Sequence, residues 1–298
     1  MKKYDVTFES VSSYSDSKYA SACKEITAFI IEPDIVNEQT GAMLFLHGWD
    51  CNRFMDKELM EFTADAYNVI CISPEYRQSG YDFNARTGKG FCSPYDLSFY
   101  QVIDSLGALR HVLSVRSNLN RKRIFAYGIS QGGHIALLAS IFAPDTFAFI
   151  NAVAPLVQVR ETQAKLAGRD FSEDELSIRN VLEHAERIRC PVFFEHGTAD
   201  ETLPHDEHSV LLEARLKKLG KEYIVKYHEG GGHLLTPAIS RLQALKDMLG
   251  DKISRIESAS ADDFITGTLT EIKCKNKKLV IDWSREQTAS KLFYWSNI

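Results

Sequence analysis

The chain has 298 residues and a formal net charge of -5 at pH 7, with 44% hydrophobic and 25% charged residues. This length suffices for one large domain with a substantial core, and the composition is that of an ordinary globular protein. Because the charge is spread without a basic block, the sequence indicates neither a nucleic-acid partner nor an anionic membrane surface. No apolar stretch approaches the length of a membrane-spanning helix.

The first residues and the cysteines bear on the compartment. Met1–Lys3 is followed by polar residues rather than by an apolar run, so a signal peptide is not expected. The six cysteines occur singly, without Cys-x-x-Cys pairs. In a chain of this size that pattern is typical of free thiols in a reducing compartment. We therefore expect a cytoplasmic location.

Strand and helix patterns alternate along the chain. Extended segments are predicted at 4–11, 25–31, 43–46, 69–72, 123–127, 148–154, 192–196 and 223–227. Apolar residues at helical spacing predict helices at 54–66, 95–115, 134–142, 206–219 and 237–256. Apolar strands separated by helices favour an α/β fold with a mainly parallel sheet covered on both faces.

Two segments interrupt this alternation. The charged segment 158–189 is expected to be either a small helical cap over a pocket or a solvated connection. The composition shifts at 258–263, after which the sequence predicts a hairpin and then an aromatic terminus. We therefore predict a main domain at 1–257 and a β-rich extension at 258–298 packed on it. The terminal aromatics could instead make a homo-oligomer contact.

Gly128-Ile129-Ser130-Gln131-Gly132 lies between a predicted strand and a predicted helix. This context is that of a nucleophile elbow, in which a sharp turn projects the serine hydroxyl from the sheet. Gly128 and Gly132 would relieve the crowding of such a turn, and the helix N-terminus would point its positive end at Ser130. The same five residues can also form an ordinary turn, so the interpretation depends on catalytic partners elsewhere.

A serine nucleophile needs a histidine base, and the histidine needs a carboxylate that orients it. Asp200 follows one late predicted strand and His233 follows the next, which gives the chain order Ser, acid, His. Because parallel strands end at a common edge of the sheet, we predict that Ser130, Asp200 and His233 meet there. Asp200 could instead be a turn or helix-capping residue. His228 is an alternative to His233 as the base. We prefer His233 because the three glycines before it give its loop the freedom to reach the serine.

The developing oxyanion needs two backbone N–H donors. Gln131, directly after the serine, is expected to provide one. Trp49, in the loop after the strand at 43–46, is expected to provide the other, and its ring could line the acyl pocket. The indole could equally be an ordinary core or edge aromatic.

Together these motifs resemble those of the α/β-hydrolases, in particular the single-domain serine esterases and the catalytic domain of prolyl-oligopeptidase-type peptidases. The matching pieces, in chain order over about residues 40–255, are His47-Gly48, Tyr76-Arg77-x-Ser79-Gly80, Gly128-x-Ser130-x-Gly132-Gly133, His196-Gly197-x-x-Asp200 and Gly232-His233. The resemblance implies an α/β-hydrolase fold with Ser130, Asp200 and His233 as triad and with Trp49 and Gln131 framing the oxyanion hole. Glu75 departs from the Asp that such enzymes often carry before the Tyr-Arg pair, and 258–298 has no counterpart in the minimal fold.

The leading hypothesis is a serine hydrolase that cleaves an ester of a small or medium acyl group through an acyl-enzyme. The alternatives are a prolyl-oligopeptidase-type peptidase acting on short peptides and a non-catalytic binding protein on the same scaffold. About forty residues precede the first core strand, fewer than a propeller needs, which favours the esterase over the peptidase.

No nucleotide-binding motif is present, so no cofactor is expected. His205 and His208 could face one side of a helix near His196 and His228. A solvated helix start is expected there rather than a zinc site, so no metal is expected.

Overall fold

The computed structural model describes residues 1–11, 24–80, 90, 94–289 and 291–298. Eight strands form the main sheet: β1 (Lys2–Ser10), β2 (Lys24–Glu32), β3 (Gly41–Leu46), β4 (Val69–Glu75), β5 (Ile124–Ile129), β6 (Phe149–Val153), β7 (Val192–Gly197) and β8 (Tyr223–His228). Their spatial order is β1-β2-β4-β3-β5-β6-β7-β8. The pairs β1–β2 and β2–β4 are antiparallel, and all later pairs are parallel.

The helices are α1 (Lys57–Tyr67), α2 (Phe99–Val115), α3 (Gln131–Phe142), α4 (Glu161–Ala167), α5 (Glu173–Ile178), α6 (Val181–His184), α7 (Ser209–Lys218), α8 (Arg241–Leu249) and α9 (Asp263–Thr266). Short 3₁₀ turns lie at Ala185–Arg187, His205–Glu207 and Gly250–Ser254. Within the described residues, no helix is both long enough and apolar enough to cross a membrane.

The two faces of the sheet are covered by different helices because side chains alternate along each strand. In β3, Ala42, Leu44 and Leu46 pack with α2, α3 and α7 in the larger core cluster. Met43 and Phe45 point the other way and pack with α1 and α8. This is the mainly parallel, two-sided architecture that the sequence predicts.

One helix boundary shifts for a local reason. The spacing predicts a helix from residue 95, but α2 begins at Phe99 because Leu97 and Ser98 have φ values of 52° and 91°. The Ser98 N–H instead donates to Gln101 Oε1 at 2.9 Å. The four residues before α2 are thereby free to form a buried turn, which includes Tyr95.

The C-terminal residues form a separate antiparallel sheet of β9 (Leu269–Lys273), β10 (Lys277–Asp282) and β11 (Phe293–Asn297). The first two strands are the predicted hairpin, and the third arises from the aromatic terminus. Trp283 is fully buried, and its indole N–H donates to the Phe142 carbonyl at the end of α3 at 3.0 Å. Phe293 contacts Phe99 edge-on at 5.3 Å. The extension therefore packs on the main sheet's helices, while the domain boundary at 257 and the homo-oligomer contact stay predictions.

Some predicted features cannot be placed. The polar segment 12–17, which the sequence predicts to link the first two strands as an antiparallel pair, lies outside the described residues. So does most of the polar loop that is predicted between Gly80 and Pro94.

Candidate active site

Ser130 occupies a strained turn between β5 and α3, with φ 57° and ψ -120°. The strain is set by close backbone approach on both sides. A Cβ at Gly128 would lie 2.1 Å from the Gly132 carbonyl oxygen, and one at Gly132 would lie 1.9 Å from that of Leu46. Only glycine fits at either position, and Ser130 itself is fixed by its N–H, which donates to Val153 O at 2.8 Å. The turn has the form of a nucleophile elbow.

A pocket with a volume of about 370 Å³ opens at this turn. Its lining is mostly apolar, with a few polar groups, and consists of Trp49, Asp50, Ser130, Gln131, Leu156, Gln163, Leu166, Thr202 and Leu203. Three of the five predicted site residues therefore line one cavity. Gln163 and Leu166 belong to α4, so the first helix of the 158–189 segment forms part of the pocket wall.

The other two predicted site residues contact each other. His233 Nδ1 lies 2.7 Å from Asp200 Oδ2, although one residue follows β7 and the other follows β8. The second oxygen of Asp200 accepts the backbone N–H groups of Thr202 at 2.8 Å and Leu203 at 3.0 Å. Because Thr202 and Leu203 also line the Ser130 pocket, the structure places the carboxylate–imidazole pair and the serine at the same edge of the sheet.

The hydrogen bonds to Asp200 fix its charge. Burial alone would raise the pKa of this carboxyl, but hydrogen bonds from His196, His233 and the Leu203 N–H outweigh burial and hold the pKa well below its ordinary value. The group is therefore an anion at all pH values near neutrality. Such an anion can orient an imidazole and stabilise the imidazolium that forms when the imidazole takes a proton.

The glycines before His233 give its loop freedom, and they also let the loops after β7 and β8 approach each other closely. A Cβ at Gly197, at the end of β7, would lie 2.1 Å from the Gly231 carbonyl oxygen. The Ala199 N–H donates to that oxygen at 2.9 Å, and the Gly232 N–H closes a turn with Thr236 O at 2.9 Å. The His-Gly-x-x-Asp and Gly-His motifs thus allow the two loops to bind each other and set the Asp200–His233 distance.

No role in this site was predicted for His196. Its Nε2 lies 3.0 Å from Asp200 Oδ2 and 2.8 Å from the Leu203 carbonyl, and its Nδ1 lies 2.6 Å from Ser209 Oγ. Because both neighbours of Nε2 are acceptors, Nε2 carries the proton and donates to Asp200. The signal in the sequence is the spacing of four residues between His196 and Asp200 across a tight turn.

His228, the alternative base, lies elsewhere. It ends β8, and its Nε2 lies 2.7 Å from Glu195 Oε2, with both side chains buried. This pair belongs to the sheet rather than to the loops beyond its edge. Of the two candidate histidines, only His233 contacts Asp200.

Both predicted oxyanion donors have free backbone N–H groups. Within the described ranges, neither the Trp49 nor the Gln131 amide donates a hydrogen bond to another residue. Gln131 is the first residue of α3, where an N–H has no partner inside the helix. Two unused donors beside Ser130 match what a developing oxyanion requires.

Side chains around these donors are tightly held. Tyr95 donates to Gln131 Oε1 at 2.9 Å, and the Gln131 side-chain Nε2 donates to Gln101 Oε1 at 2.7 Å. The Trp49 ring stacks on Tyr95 with centroids 4.5 Å apart and an interplanar angle of 15°. The indole is therefore a wall of the pocket, supported from one face, rather than a residue of the main core.

The strand edge next to Trp49 is fixed by buried groups. Tyr76 donates to the His47 carbonyl at 2.6 Å, and burial lowers the pKa of His47 to about 4. Glu75 accepts from Arg53 at 2.6 Å, and its side chain approaches Gly80 so closely that a Cβ there would lie 2.4 Å from Glu75 Oε1. Glu75 thus has a structural role at this strand edge.

The four histidines considered for zinc do not converge on one point, although the rings of His196 and His205 contact each other edge-on with centroids 6.3 Å apart. His196 and His228 are bound to Asp200 and Glu195, respectively. Burial, with repulsion from Arg160 and His196, lowers the pKa of His208 to about 4. Among the residues that the structure describes, no three His, Cys, Asp or Glu side chains are grouped so that they could hold a metal ion.

Comparisons with known proteins identify the family of the chain. Residues 95–250, just over half of the chain, match the prolyl oligopeptidase family. S-formylglutathione hydrolase of Rattus norvegicus is 23% identical over 159 residues, which are 48% of this chain and 56% of that protein. The chain thus matches little more than half the length of this relative.

Among solved structures, an acylaminoacyl peptidase of Pyrococcus horikoshii superposes with a TM-score of 0.66 at 16% identity, covering 87% of this chain and 42% of the other. A puromycin-hydrolyzing peptidase of Mycobacterium tuberculosis gives a TM-score of 0.63 at 19% identity, with 76% and 38% covered. The fold is that of an α/β-hydrolase, and the chain aligns with less than half of each peptidase.

Proposed function

Because the chain belongs to the prolyl oligopeptidase family, a family of serine hydrolases, we propose that it cleaves esters of small or medium acyl groups. In this proposal Ser130 is the nucleophile, His233 is the general base and acid, and Asp200 orients the imidazole. The amides of Trp49 and Gln131 hold the oxyanion. The reaction passes through an acyl-enzyme.

The observation that carries the proposal is the set of groups around Asp200. Its carboxylate accepts from His233, His196 and two backbone N–H groups, which keeps it ionised. An ionised carboxylate at 2.7 Å from Nδ1 favours the tautomer that carries its proton there and leaves Nε2 free to accept. An imidazole in this state can take the proton of a serine hydroxyl.

The chemistry follows from these states. The Ser130 oxygen attacks the ester carbonyl as His233 takes its proton, and the carbonyl oxygen becomes an oxyanion bound by the two amides. When the tetrahedral species collapses, the C–O bond to the alcohol breaks and His233 returns the proton to the leaving oxygen. Water then attacks the acyl-enzyme by the same route, which releases the acid and restores Ser130.

The pocket supports an acyl group of limited size. Its volume of about 370 Å³ lies at the low end of small-molecule sites, and leucines at 156, 166 and 203 form part of the apolar wall together with Trp49. Since α4 contributes to this wall, the proposed role of the 158–189 segment is to enclose the acyl group.

A peptidase is the second candidate, and a specific observation favours it. The family is named for an oligopeptidase, and the two similar solved structures are named as peptidases. S-formylglutathione hydrolase, by its name, acts on a formyl group, which supports a small acyl substrate instead. Both candidates use the same serine, so the substrate panel decides between them.

The test combines labelling and turnover on the full chain. A fluorophosphonate should label Ser130 in the unaltered protein and not in Ser130→Ala. Ser140→Ala, at a buried serine later in α3, is the matched control and should be labelled normally. p-Nitrophenyl esters from acetate to octanoate should be cleaved faster than the matched p-nitroanilides.

Faster cleavage of short peptide anilides than of esters would favour the peptidase. A folded protein that neither reacts with the probe nor turns over any substrate would overturn both and leave the non-catalytic binding hypothesis.

A further inference from the structure

The wall of the Ser130 pocket carries a single charge. Of its nine lining residues, Asp50 is the only one with an ionisable side chain that is charged at neutral pH. Within the described part of the chain, no Lys, Arg or His side chain lines the cavity. The described lining therefore combines one negative charge with a mostly apolar wall.

Among the residues that the structure describes, no neighbour neutralises the charge of Asp50. Asp50 is exposed, and its carboxylate makes no ion pair or hydrogen bond with any residue that the structure describes. The nearby cations of the segment around α4 are already paired, because Arg160 contacts Glu207 and Lys165 contacts Glu161 at 2.7 Å. The carboxylate therefore remains available to a positive group that enters the pocket.

The carboxylate also lies close to the aromatic wall. Burial is the main cause of the raised pKa of the Tyr95 phenol, and the charges of Asp96 and Asp50 add to it. Tyr95 supports the Trp49 ring by stacking. A carboxylate beside a fixed indole is the combination that binds ammonium groups, because the ring face attracts a cation and the carboxylate supplies the counter-charge.

Given the serine hydrolase proposed above, on which this step rests, we propose that the substrate carries a positive charge within a few bonds of the scissile carbonyl. Asp50 and Trp49 bind this charge, and they are specificity-determining residues of the pocket. The class of substrate is an ester with an ammonium group in its acyl or alcohol part. Neutral esters of the same shape are poorer substrates.

The test measures how fast Ser130 reacts with two matched phosphonates. Both are p-nitrophenyl methylphosphonates; one carries a 2-(trimethylammonio)ethyl group and the other its neutral 3,3-dimethylbutyl analogue. The serine oxygen forms a bond to phosphorus, and p-nitrophenolate leaves, so its release gives the second-order rate constant. The ratio of the cationic to the neutral rate, compared between variants, cancels the intrinsic reactivity of the reagents.

We expect this ratio to fall about fivefold from the unaltered protein to Asp50→Asn, since this variant loses an exposed ion pair but keeps the cation–π contact with Trp49. Asn is tolerated at the φ of 61° that Asp50 adopts, so the variant should fold. Glu201→Gln removes the same charge from an exposed position outside the pocket lining and should leave the ratio unchanged. In the unaltered protein the ratio should also fall as salt is raised.

Three results would count against these assignments. An equal ratio in the unaltered protein and Asp50→Asn would overturn the role of Asp50. If the ratio fell equally in Glu201→Gln, the general charge of the surface would be responsible rather than the pocket, and this result would also overturn the role of Asp50. No labelling of Ser130 by either reagent would overturn the proposed function itself.

Discussion

Two histidine–carboxylate pairs lie side by side in this protein, and they differ in almost every property except distance. His233 contacts Asp200 and His228 contacts Glu195, each at 2.7 Å, and each pair joins the β7 region to the β8 region. The first pair lies in the loops beyond the sheet edge, where the His233 side chain is 21% exposed. The second lies within the strands, where the His228 side chain is 6% exposed.

The carboxylates differ accordingly. Asp200 accepts four hydrogen bonds and its pKa is held below the ordinary value. Glu195 has one oxygen without a partner among the described residues, and burial raises its pKa despite the contact with His228. Backbone N–H groups in the loop donate to Asp200 and stabilise its anion. The N–H groups around Glu195 already pair with neighbouring strands of the sheet, so they cannot stabilise a Glu195 anion in the same way. Position relative to the sheet edge therefore decides which pair suits proton transfer.

The largest expected effect separates the two histidines. His233→Gln should lower kcat/KM for a p-nitrophenyl ester by about 10⁴-fold or more, because the serine loses its base. His228→Gln should retain most of the activity but lower the free energy of unfolding by about 1–3 kcal/mol, because it removes the imidazole that is hydrogen-bonded to the buried Glu195 carboxyl. Ester kinetics and urea unfolding measure the two effects. Equal losses of activity in two folded variants would contradict the assignment of the base.

The next prediction applies the same contrast to the carboxylates. Asp200→Asn should lower kcat about 10³- to 10⁴-fold, because an amide can hold the wrong tautomer of His233. Glu195→Gln, a change of the same kind five residues earlier and within β7, should alter kcat less than threefold. The two variants are compared with the same ester at saturating concentration. A large loss in Glu195→Gln with intact secondary structure would show that the strand pair takes part in catalysis.

A smaller effect is expected at His196, which donates to the same oxygen of Asp200 as His233. His196→Phe should lower kcat about tenfold with little change in KM, since it removes a group that positions Asp200 but does not touch the substrate. The acid limb of the pH profile should also move, because Asp200 would be less well stabilised as an anion. Thermal unfolding provides the control. A change in stability without a change in kcat or in the pH profile would reduce His196 to a structural residue.

The smallest effect concerns histidines that the fold keeps neutral. Burial lowers the pKa of His47 and of His208 to about 4 and that of His134 to about 3. The unfolded chain binds these protons near the ordinary value of 6.5, so it holds more protons than the folded chain between about pH 6.5 and pH 4. The contribution of these neutral imidazoles to the free energy of unfolding is therefore fully present above pH 6.5, and it is lost as the pH falls from 6.5 to 4.

Each such histidine adds at most about 1.4 kcal/mol per pH unit to the slope of the unfolding free energy. His134, whose nitrogens lie 3.0 Å from Ser98 Oγ and 2.7 Å from the Arg179 carbonyl, is the best site to remove one. We therefore expect the free energy of unfolding, measured with denaturant between pH 4.5 and pH 7, to depend less steeply on pH in His134→Gln than in the unaltered protein. His111→Gln, at a half-buried position on α2, is the comparison variant. If this pH dependence were the same in His134→Gln as in the unaltered protein, His134 would not be neutral in the folded state.

Much of the fold could be predicted because the information is local. Continuous apolar strands such as Met43–Leu46 and Val69–Ile72 require cover on both faces, and alternation with helices leaves few arrangements other than a parallel sheet. The elbow could be predicted because Gly128 and Gly132 are demanded by one short turn. Helix ends were less predictable, since the backbone of Leu97 and Ser98 departs from the helix for reasons that lie in the buried turn around Tyr95.

Non-local contacts could not be predicted from pattern. The sequence identified Asp200 and His233 as partners, but not the role of His196 in binding Asp200, because that depends on a turn that folds back over β7. The terminal strand β11 likewise becomes visible only through its pairing with β10, since its sequence reads as a cluster of aromatics.

Three things were determined by the sequence alone: the order of strands and helices, the tight turn at Ser130, and the residue types that a serine hydrolase needs. Each depends on neighbours a few positions apart, and short-range geometry and hydrophobic periodicity specify such features. The tertiary structure decided which histidine contacts which carboxylate, which amides remain free, and which charge faces the pocket. Those outcomes depend on distances between loops far apart in the chain, and these distances exist only once the sheet has brought its strand ends together.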